Sequence, residues 1–202
     1  MESRKKAILI AMVMGDGYIH KRDKSLKLCH SKKQEEYLRY KRDVLHSLLG
    51  GKKPTIREYM HLGKYPQVRC EKAHKYFRVL RKWMYPDKYK HLSYMTPESL
   101  AIWFMDDGSC VVNNKYPDGT PSSYRTNIHT CCSKDVAQRI CKYFKDTWSI
   151  KFTPFREKTS WSVRCFHKEG KKFHELIYPH TIESMKYKHR DYIPRAHSPC
   201  TR

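Results

Sequence analysis

The chain has 202 residues, enough for one large domain or two half-sized ones, and either can bury a core. Its 42 Lys and Arg residues against 20 Asp and Glu leave a net charge of +22, spread from Arg4 to Arg202 instead of being confined to a tail. This excess predicts a polyanionic partner, nucleic acid above all, but it does not separate an enzyme from a basic binding protein such as a ribosomal component.

The cysteines and the apolar runs limit the environment of the protein. The eight cysteines stand singly apart from Cys131-Cys132, and no C-x-x-C pair supplies a second set of ligands for a structural zinc site. The longest apolar run, Ala7 to Met14, covers about two helical turns, far short of the roughly 20 residues that span a bilayer. With no secretory leader recognised, we expect an intracellular protein with reduced thiols and no membrane partner.

The first half of the chain predicts a helix, two strands, a helix, two strands and a helix. An apolar helix ends at Asp16-Gly17, and Ser31 is suited to cap the second helix. In chain order the later elements are strands at about Tyr18 to Arg22 and Leu26 to Ser31, a helix from Gln34 to Leu49, strands at Thr55 to Tyr59 and Pro66 to Cys70, and a helix from Ala73 to Met84.

The second half predicts the same order of elements. Thr96-Pro97-Glu98 begins its apolar helix, with threonine as cap and proline at the first helical position, so the boundary falls near residue 93 and the halves are 1–93 and 94–202. The later elements are strands at about Ser109 to Asn113, Tyr124 to Thr130, Lys151 to Arg156 and Trp161 to Cys165, and helices from Asp135 to Trp148, capped by Ser133, and from Lys168 to Ile177. Prolines and a glycine predict a loop from Asn113 to Ser123.

Two apolar helices share an Asp-Gly ending, at Asp16-Gly17 and at Asp107-Gly108. A terminal glycine explains why each helix stops, but it does not explain the aspartates. A carboxylate in the last turn of a buried helix faces the negative end of the helix dipole and is disfavoured unless a cation compensates it. Because the arrangement occurs twice, it predicts a shared metal site.

Three further segments repeat in the same order, which is typical of an internally duplicated chain. Together with the helix and strand order they predict an α+β protein of two pseudo-symmetric αββαββα halves, each with an antiparallel sheet. The repeats are Ser31-Lys32 with Ser133-Lys134, Val68-Arg69-Cys70 with Val163-Arg164-Cys165, and Lys88-Tyr89-Lys90-His91 with Lys186-Tyr187-Lys188-His189.

An antiparallel sheet with one face on the core leaves its other face open, and side chains alternate between the two. The alternation puts Val68 inward, and likewise Trp161, Val163 and Cys165. Arginine, lysine and glutamine on an open sheet can reach guanine and adenine edges in the major groove, although each such residue can also be a solvated surface charge. The candidates for nucleic-acid binding are Arg22, Lys27, Arg57, Gln67, Arg69, Arg125, Ser162 and Arg164.

The two motif helices resemble the signature of the LAGLIDADG homing endonucleases, in the single-chain form that carries two motifs. The first motif has Met14-Gly15 where the family name spells Asp-Ala, and it keeps the final Asp16. The second has Ile102 and Trp103 where small residues are usual, so tight helix packing must rely on small residues of the first motif such as Gly15. The resemblance covers nearly the whole chain, because the order of elements between the motifs also fits.

The resemblance implies a monomer whose two sheets form a DNA-binding saddle over a long double-stranded site. It implies that Asp16 and Asp107 hold divalent ions between the scissile phosphates, with the carbonyls of Gly15 and Asp106 as further ligands. Magnesium is the expected ion, and manganese is expected to substitute, because a hard cation prefers carboxylate and phosphate oxygen. A water would be the nucleophile, and the product would be a double-strand break with 3′ overhangs.

Members of the family also place a lysine near the end of each half, beside the attacking water. The repeat narrows the candidates to Lys90 and Lys188, with Lys88 and Lys186 next, unless the segment is merely a solvated basic linker. The same scaffold serves RNA maturases that assist group I intron splicing, so host intron RNA is an alternative or additional partner. Both motif aspartates are present, which favours the nuclease over a maturase or a regulator that does not cleave.

Overall fold

The computed structural model describes residues 3–22, 24–85, 87–119 and 121–189. The chain forms two compact units, Met1–Asp106 and Asp107–Arg202. Each contains one four-stranded antiparallel sheet with helices packed on it, which confirms the predicted α+β class. In the described ranges no helix is both long and apolar enough to cross a bilayer, and each cysteine there has a free thiol.

The first unit follows the predicted order of elements. Its sheet has the strand order β1-β2-β4-β3, in which every neighbouring pair is antiparallel. The elements are α1 (Ser3–Met14), β1 (Tyr18–Ile19), β2 (Ser25–Ser31), α2 (Glu35–Leu49), β3 (Arg57–His61), β4 (Tyr65–Ala73), α3 (Tyr76–Met84), a 3-10 segment (Lys88–Tyr94) and the second motif helix α4 (Pro97–Asp107), whose last residue begins the second unit.

The second unit repeats this plan with the strand order β5-β6-β8-β7. Its elements are β5 (Gly108–Lys115), β6 (Pro121–Cys132), α5 (Lys134–Trp148), β7 (Thr153–Glu157), β8 (Ser160–Phe166), α6 (His167–Ile177) and 3-10 segments at Tyr178–His180 and Glu183–Lys188. The order of strands within each sheet is therefore the same in both units.

The units divide later along the chain than the repeat does, because α4 packs with the first unit. Arg4 of α1 forms two hydrogen bonds with the Glu98 carboxylate, at 2.8 and 2.7 Å. The Tyr37 hydroxyl of α2 donates to the Ile102 carbonyl at 3.0 Å. The boundary at 93 and 94 marks where the second repeat begins and stays a prediction.

Two of the three predicted helix caps are confirmed. The Ser99 N–H donates to Thr96 Oγ1 at 3.3 Å, and the Val136 N–H donates to Ser133 Oγ at 3.4 Å. The Ser31 cap is wrong, because a 3-10 turn from Lys32 to Gln34 separates this serine from α2 and its side chain makes no capping bond. Local spacing therefore located helix starts well except where an extra turn intervened.

Two predicted strand boundaries are also corrected. The predicted loop from Asn113 to Ser123 is wrong at both ends, because β5 and β6 extend into it and pair Asn114 with Ser123 through an irregular register. The strand predicted to reach Arg22 ends at Ile19, and Arg22 lies in the following turn. Bulges allow the first extension, since they absorb residues that a regular ladder cannot pair.

The Val-Arg-Cys repeat lies two residues out of register between the sheets. Tyr18 and Ser109 are equivalent, because each lies two residues after a motif aspartate. Tyr18 pairs with Lys27, and Lys27 pairs with Glu71. The corresponding pairs of the second unit join Ser109 to Asn127, and Asn127 to Arg164. Arg164 thus takes the place of Glu71, not of Arg69. A shift of two keeps a side chain on the same face, so Val68 and Val163 are both buried, as the alternation predicted.

The Lys-Tyr-Lys-His repeat is a packing unit of each core. His91 is 7% exposed, stacks on the Trp83 ring at 3.5 Å between centroids and lies 2.9 Å from the Trp83 carbonyl oxygen. His189 is fully buried, with its Nδ1 2.8 Å from His174 Nδ1 and its Nε2 2.9 Å from Thr181 Oγ1. In both segments the histidine is buried and the lysines are not.

The buried histidine pair predicts that the protein loses stability in mild acid. Burial lowers the pKa of His174 to about 2 and that of His189 to about 4, from an ordinary value near 6.5. The unfolded chain therefore binds more protons below pH 6.5, and the free energy of unfolding should fall as the pH drops from about 6.5 towards 4. Urea unfolding at several pH values measures this slope.

A matched pair of variants assigns the effect. His189→Asn should flatten the slope while lowering stability at pH 7, whereas His180→Asn, which changes an exposed histidine, should leave the slope unchanged. Equal stability of the parent protein at pH 7 and pH 5 would refute the prediction.

Candidate metal centre and nucleic-acid face

The first motif helix ends in a turn that presents Asp16 to solvent. Residues Ala7 to Met14 are all buried, and the Gly17 N–H closes the helix by donating to the Met12 carbonyl at 2.8 Å. A Cβ on Gly17 would lie 2.1 Å from that oxygen, so only glycine fits there. The Asp16 side chain is 41% exposed, so its carboxylate can reach a ligand from solvent.

The residue that holds this turn is Asp106, from the second motif. Its Oδ2 accepts the Asp16 backbone N–H at 3.1 Å. A Cβ on Gly15 would lie 2.2 Å from the same Oδ2, so glycine at position 15 makes room for the carboxylate. The expectation that Gly15 supplies packing space is confirmed, and the space is filled by a carboxylate.

Asp106 forms a buried ion pair with Lys41, and both side chains are fully buried. Lys41 Nζ donates to both carboxylate oxygens, each at 2.8 Å, and the Tyr37 hydroxyl donates to Oδ1 at 2.8 Å. Burial, together with the Asp106 carboxylate, raises the pKa of Tyr37 well above its usual value. Tyr37 is therefore a neutral donor, and the negative charge of Asp106 is compensated by Lys41 within the first unit.

Sequence reasoning missed Lys41 and Tyr37, although the helix carried a signal. Tyr37, Lys41 and Leu45 are spaced by four and, together with Leu38, form the buried stripe of α2. A lysine inside an apolar stripe needs a buried partner, because an isolated ammonium group is costly to desolvate. The partner could not be read from spacing, since it lies 65 residues further along the chain.

His30, on β2, completes the cluster. Its side chain is 2% exposed, with Nδ1 3.5 Å from Asp16 Oδ2 and Nε2 3.3 Å from Lys41 Nζ. A lysine ammonium group has three donors and no acceptor, and here the three point at the two Asp106 oxygens and His30 Nε2. Nε2 is therefore an acceptor, which places the His30 proton on Nδ1, facing Asp16.

Ligand atoms of Asp16, His30 and Asp106 lie within 4.8 Å of one another, the geometry of a metal cluster. Two of the three are committed elsewhere: both Asp106 oxygens accept from Lys41, and His30 Nδ1 carries a proton. The solvent-accessible carboxylate of Asp16 is the ligand that remains, and Mg²⁺ is commonly held by one or two carboxylates with waters and substrate phosphates. The residues therefore fit a magnesium ion on Asp16, with Asp106 as its support.

The remaining predicted residues of the centre are placed as follows. Asp107 is half-buried at the end of α4 and belongs to the second unit. Lys90 is exposed, whereas the next candidate, Lys88, donates to the Met14 carbonyl at the end of α1 at 3.3 Å. Lys188 is half-buried, and Lys186 pairs with Glu183 at 2.6 Å. The Gly15 and Asp106 carbonyls stay predicted ligands.

The open face of the first sheet carries four of the eight predicted nucleic-acid residues. Arg57 lies opposite Arg69, and Tyr59 lies opposite Gln67, all on the face away from buried Val68. Arg69 lies over the Tyr59 ring at 5.1 Å, and Gln67 accepts from the Tyr59 hydroxyl. Lys27 shares this face and lies 3.8 Å from Glu71. Arg22 is exposed in the turn after β1.

The second sheet departs from the prediction at Ser162. Arg125 and Arg164 lie on the face away from buried Ile128, and the Arg164 guanidinium lies over Phe155 and Phe166 at 5.0 and 5.3 Å. Ser162 is wholly buried: its hydroxyl donates to Glu157 at 2.7 Å and accepts the Thr130 N–H at 3.1 Å. A bulge between Ile128 and Cys132 puts that N–H over Ser162, so the serine is a structural residue and not a DNA contact.

A polar cluster unforeseen from sequence surrounds that bulge. His129 Nδ1 lies 2.9 Å from Glu157 Oε1, and His129 Nε2 lies 3.0 Å from Ser109 Oγ. Bonds from Ser162 and His129 hold the pKa of Glu157 below its usual value against the opposing effect of burial, the largest single influence. These groups come from all four strands of the second sheet, so no local pattern predicted their meeting.

A family profile described as the LAGLIDADG DNA endonuclease family matches residues 6–173. The chain belongs to this family. The match spans both motif helices and both sheets, so the LAGLIDADG resemblance read from Asp16-Gly17 and Asp107-Gly108 is confirmed.

Two of the similar proteins are named as endonucleases, and a third is not. The homing endonuclease I-WcaI bound to its DNA recognition sequence is 25% identical, with a TM-score of 0.76, over 93% of this chain and 86% of that one. The DNA endonuclease I-ChuI of Chlamydomonas applanata is 22% identical over 95% of this chain and 96% of that protein. Protein RecA of Mycolicibacterium flavescens is 26% identical over 90% of this chain but 45% of its own length, so the chain spans under half of that relative.

Because Lys41 is in a buried ion pair, replacing it should lower the free energy of unfolding unusually strongly. Lys41→Met should lower the free energy of unfolding by about 3 to 5 kcal/mol, because it leaves the Asp106 charge buried without a partner. Lys41→Met/Asp106→Asn should recover part of the loss. Urea unfolding followed by circular dichroism measures both.

Lys142→Met is the matched control, since Lys142 forms an exposed ion pair with Asp146 within α5. This variant should unfold almost as the parent does, because exposed pairs contribute little. A Lys41→Met protein as stable as the Lys142→Met protein would show that Lys41 and Asp106 are not paired in solution.

Proposed function

We propose that the chain is a site-specific homing endonuclease that hydrolyses both strands of a long double-stranded DNA site and leaves 3′ overhangs. The observation that carries the proposal is an accessible carboxylate at the end of the motif helix in a unit whose open sheet face is basic. The likeness to I-WcaI, a homing endonuclease bound to its DNA recognition sequence, supports DNA as the partner.

Asp16 and Asp107 are the proposed ligands of Mg²⁺, with the Gly15 and Asp106 carbonyls beside them and Mn²⁺ as a working substitute. A divalent ion held there would lower the pKa of an attacking water and neutralise charge on the leaving oxygen. The chain's own contribution is to fix the carboxylate. Asp106 holds the Asp16 backbone, and His30 faces the Asp16 side chain.

Lysines at the ends of the halves are proposed to stabilise charge at the phosphate. Lys90 and Lys188 stay the predicted pair, one for each strand. In the first unit the contact of Lys88 with the Met14 carbonyl brings this lysine to the end of the motif helix, so Lys88 competes with Lys90 for the role. Removing the acting lysine should reduce the rate far more than the affinity.

Selection from a randomised DNA library tests the function directly. The purified protein is incubated with the library and Mg²⁺, and the ends of the cut molecules are sequenced. Recovery of one long shared site with 3′ overhangs supports the proposal, together with a monomeric enzyme in solution. Binding without cleavage at any selected site, or a preference for structured RNA, would overturn it.

Replacing either motif aspartate should separate cleavage from binding. Asp16→Asn and Asp107→Asn should each stop double-strand cleavage and change DNA affinity by only a modest factor. The reason is that each carboxylate supplies charge to the metal, whereas binding is spread over two sheets. Single-turnover cleavage and gel-shift titration measure the two effects, and retained cutting of both strands at ordinary Mg²⁺ concentrations by either variant would refute the metal assignment.

The outward arginines should read bases. Arg69→Ala and Arg164→Ala should each change base preference at a few positions and cost about 1 to 3 kcal/mol of binding free energy, if the guanidinium contacts guanine. Ser162→Ala should leave base preference unaltered, since that serine is buried. Profiling cleavage on single-base variants of the site separates these outcomes, and a uniform loss over all sequences would assign the arginines to phosphates instead.

A further inference from the structure

The Asp16 carboxylate lies beside a buried network that the motif alone does not supply. His30 sits between Asp16 and Lys41, with its protonated Nδ1 3.5 Å from Asp16 Oδ2 and its Nε2 3.3 Å from Lys41 Nζ. Lys41 is locked in turn by two 2.8 Å bonds to Asp106. Each member is buried apart from Asp16, so the orientation of the imidazole is fixed before any ligand arrives.

The two halves are chemically unequal at the positions that build this network. In the first motif the residue equivalent to Asp106 is Gly15, which has no side chain to offer. Counted along the sheet from the motifs, Leu28 corresponds to Ile128, so Thr130 takes the place of His30. Thr130 Oγ1 donates to the Trp161 carbonyl at 3.0 Å. Threonine has no imidazole that could lie between a carboxylate and an ammonium group as His30 does.

We infer that His30, held by the Lys41–Asp106 ion pair, is a positioning residue for Asp16, and that it makes the metal site of the first half unlike that of the second. The inference rests on the proposed function. Groups that hydrogen-bond to metal ligands fix their orientation, and their loss commonly costs 10- to 100-fold in metal affinity or activity. Removing His30 should therefore slow cleavage of one DNA strand and leave cleavage of the other unchanged.

Strand-specific cleavage tests this inference on the full-length protein. DNA carrying the selected site is labelled differently on each strand, and single-turnover rates are measured with Mg²⁺. His30→Ala should slow one strand by about 10-fold or more, leave the other within about 3-fold, and accumulate nicked DNA. His30→Gln, which keeps a side-chain donor, should restore much of the lost rate.

A metal-binding measurement supplies a readout that does not depend on activity. Mn²⁺ is titrated into the complex with cut DNA and followed by electron paramagnetic resonance. His30→Ala should weaken one class of Mn²⁺ site and leave the other unchanged, and Thr130→Ala, at the equivalent position of the second half, should not weaken that same class.

The outcomes separate the two claims. A wild-type protein that cuts neither strand overturns the proposed function and this inference with it. A wild-type protein that cuts both strands, with a His30→Ala variant that slows them equally or not at all, overturns only the inference. Equal slowing accompanied by lowered urea stability would make His30 a core residue alone, which likewise overturns it.

Discussion

The buried ion pair between Lys41 and Asp106 is the contact on which the first motif depends. Two fully buried charges are tolerated because each satisfies the other and because Tyr37 and the Asp16 N–H complete the hydrogen bonding of the carboxylate. The pair joins α2 to the second motif helix, and through Asp106 it fixes the turn that presents Asp16. Gly15 is required for this arrangement, because a side chain there would occupy the space of the carboxylate.

The same contact shows how a duplicated chain becomes asymmetric. Both motifs end in Asp-Gly, and both sheets share one strand order, yet the residue before the motif aspartate is glycine in one half and aspartate in the other. Asp106 pairs with the buried Lys41, whereas Gly15, at the equivalent position of the first motif, has no side chain that could pair with a cation. Exposed positions of the sheets diverge as well, since Arg164 occupies the register position of Glu71.

The fold was largely predictable because it rests on local patterns that occur twice. Apolar helices ending in glycine, alternating strands and the caps at Thr96 and Ser133 are short-range signals, and they predicted the element order. Contacts between distant segments were not predictable: Lys41 meets Asp106 across 65 residues, and the bulge that buries Ser162 depends on packing between β6 and β8. The motif aspartates were found because a terminal carboxylate violates local preference, which is typical of functional sites.

The proposed metal site requires that the Asp106 carboxylate pairs with Lys41 and does not bind metal, and that an ion binds the Asp16 carboxylate. The most direct measurement is anomalous scattering from Mn²⁺ in crystals of the protein with its DNA site. We expect anomalous peaks within about 2.3 Å of the Asp16 and Asp107 carboxylate oxygens, and an Asp106 carboxylate still hydrogen-bonded to Lys41. A peak coordinated by the Asp106 carboxylate or by His30, with Lys41 displaced, would contradict it.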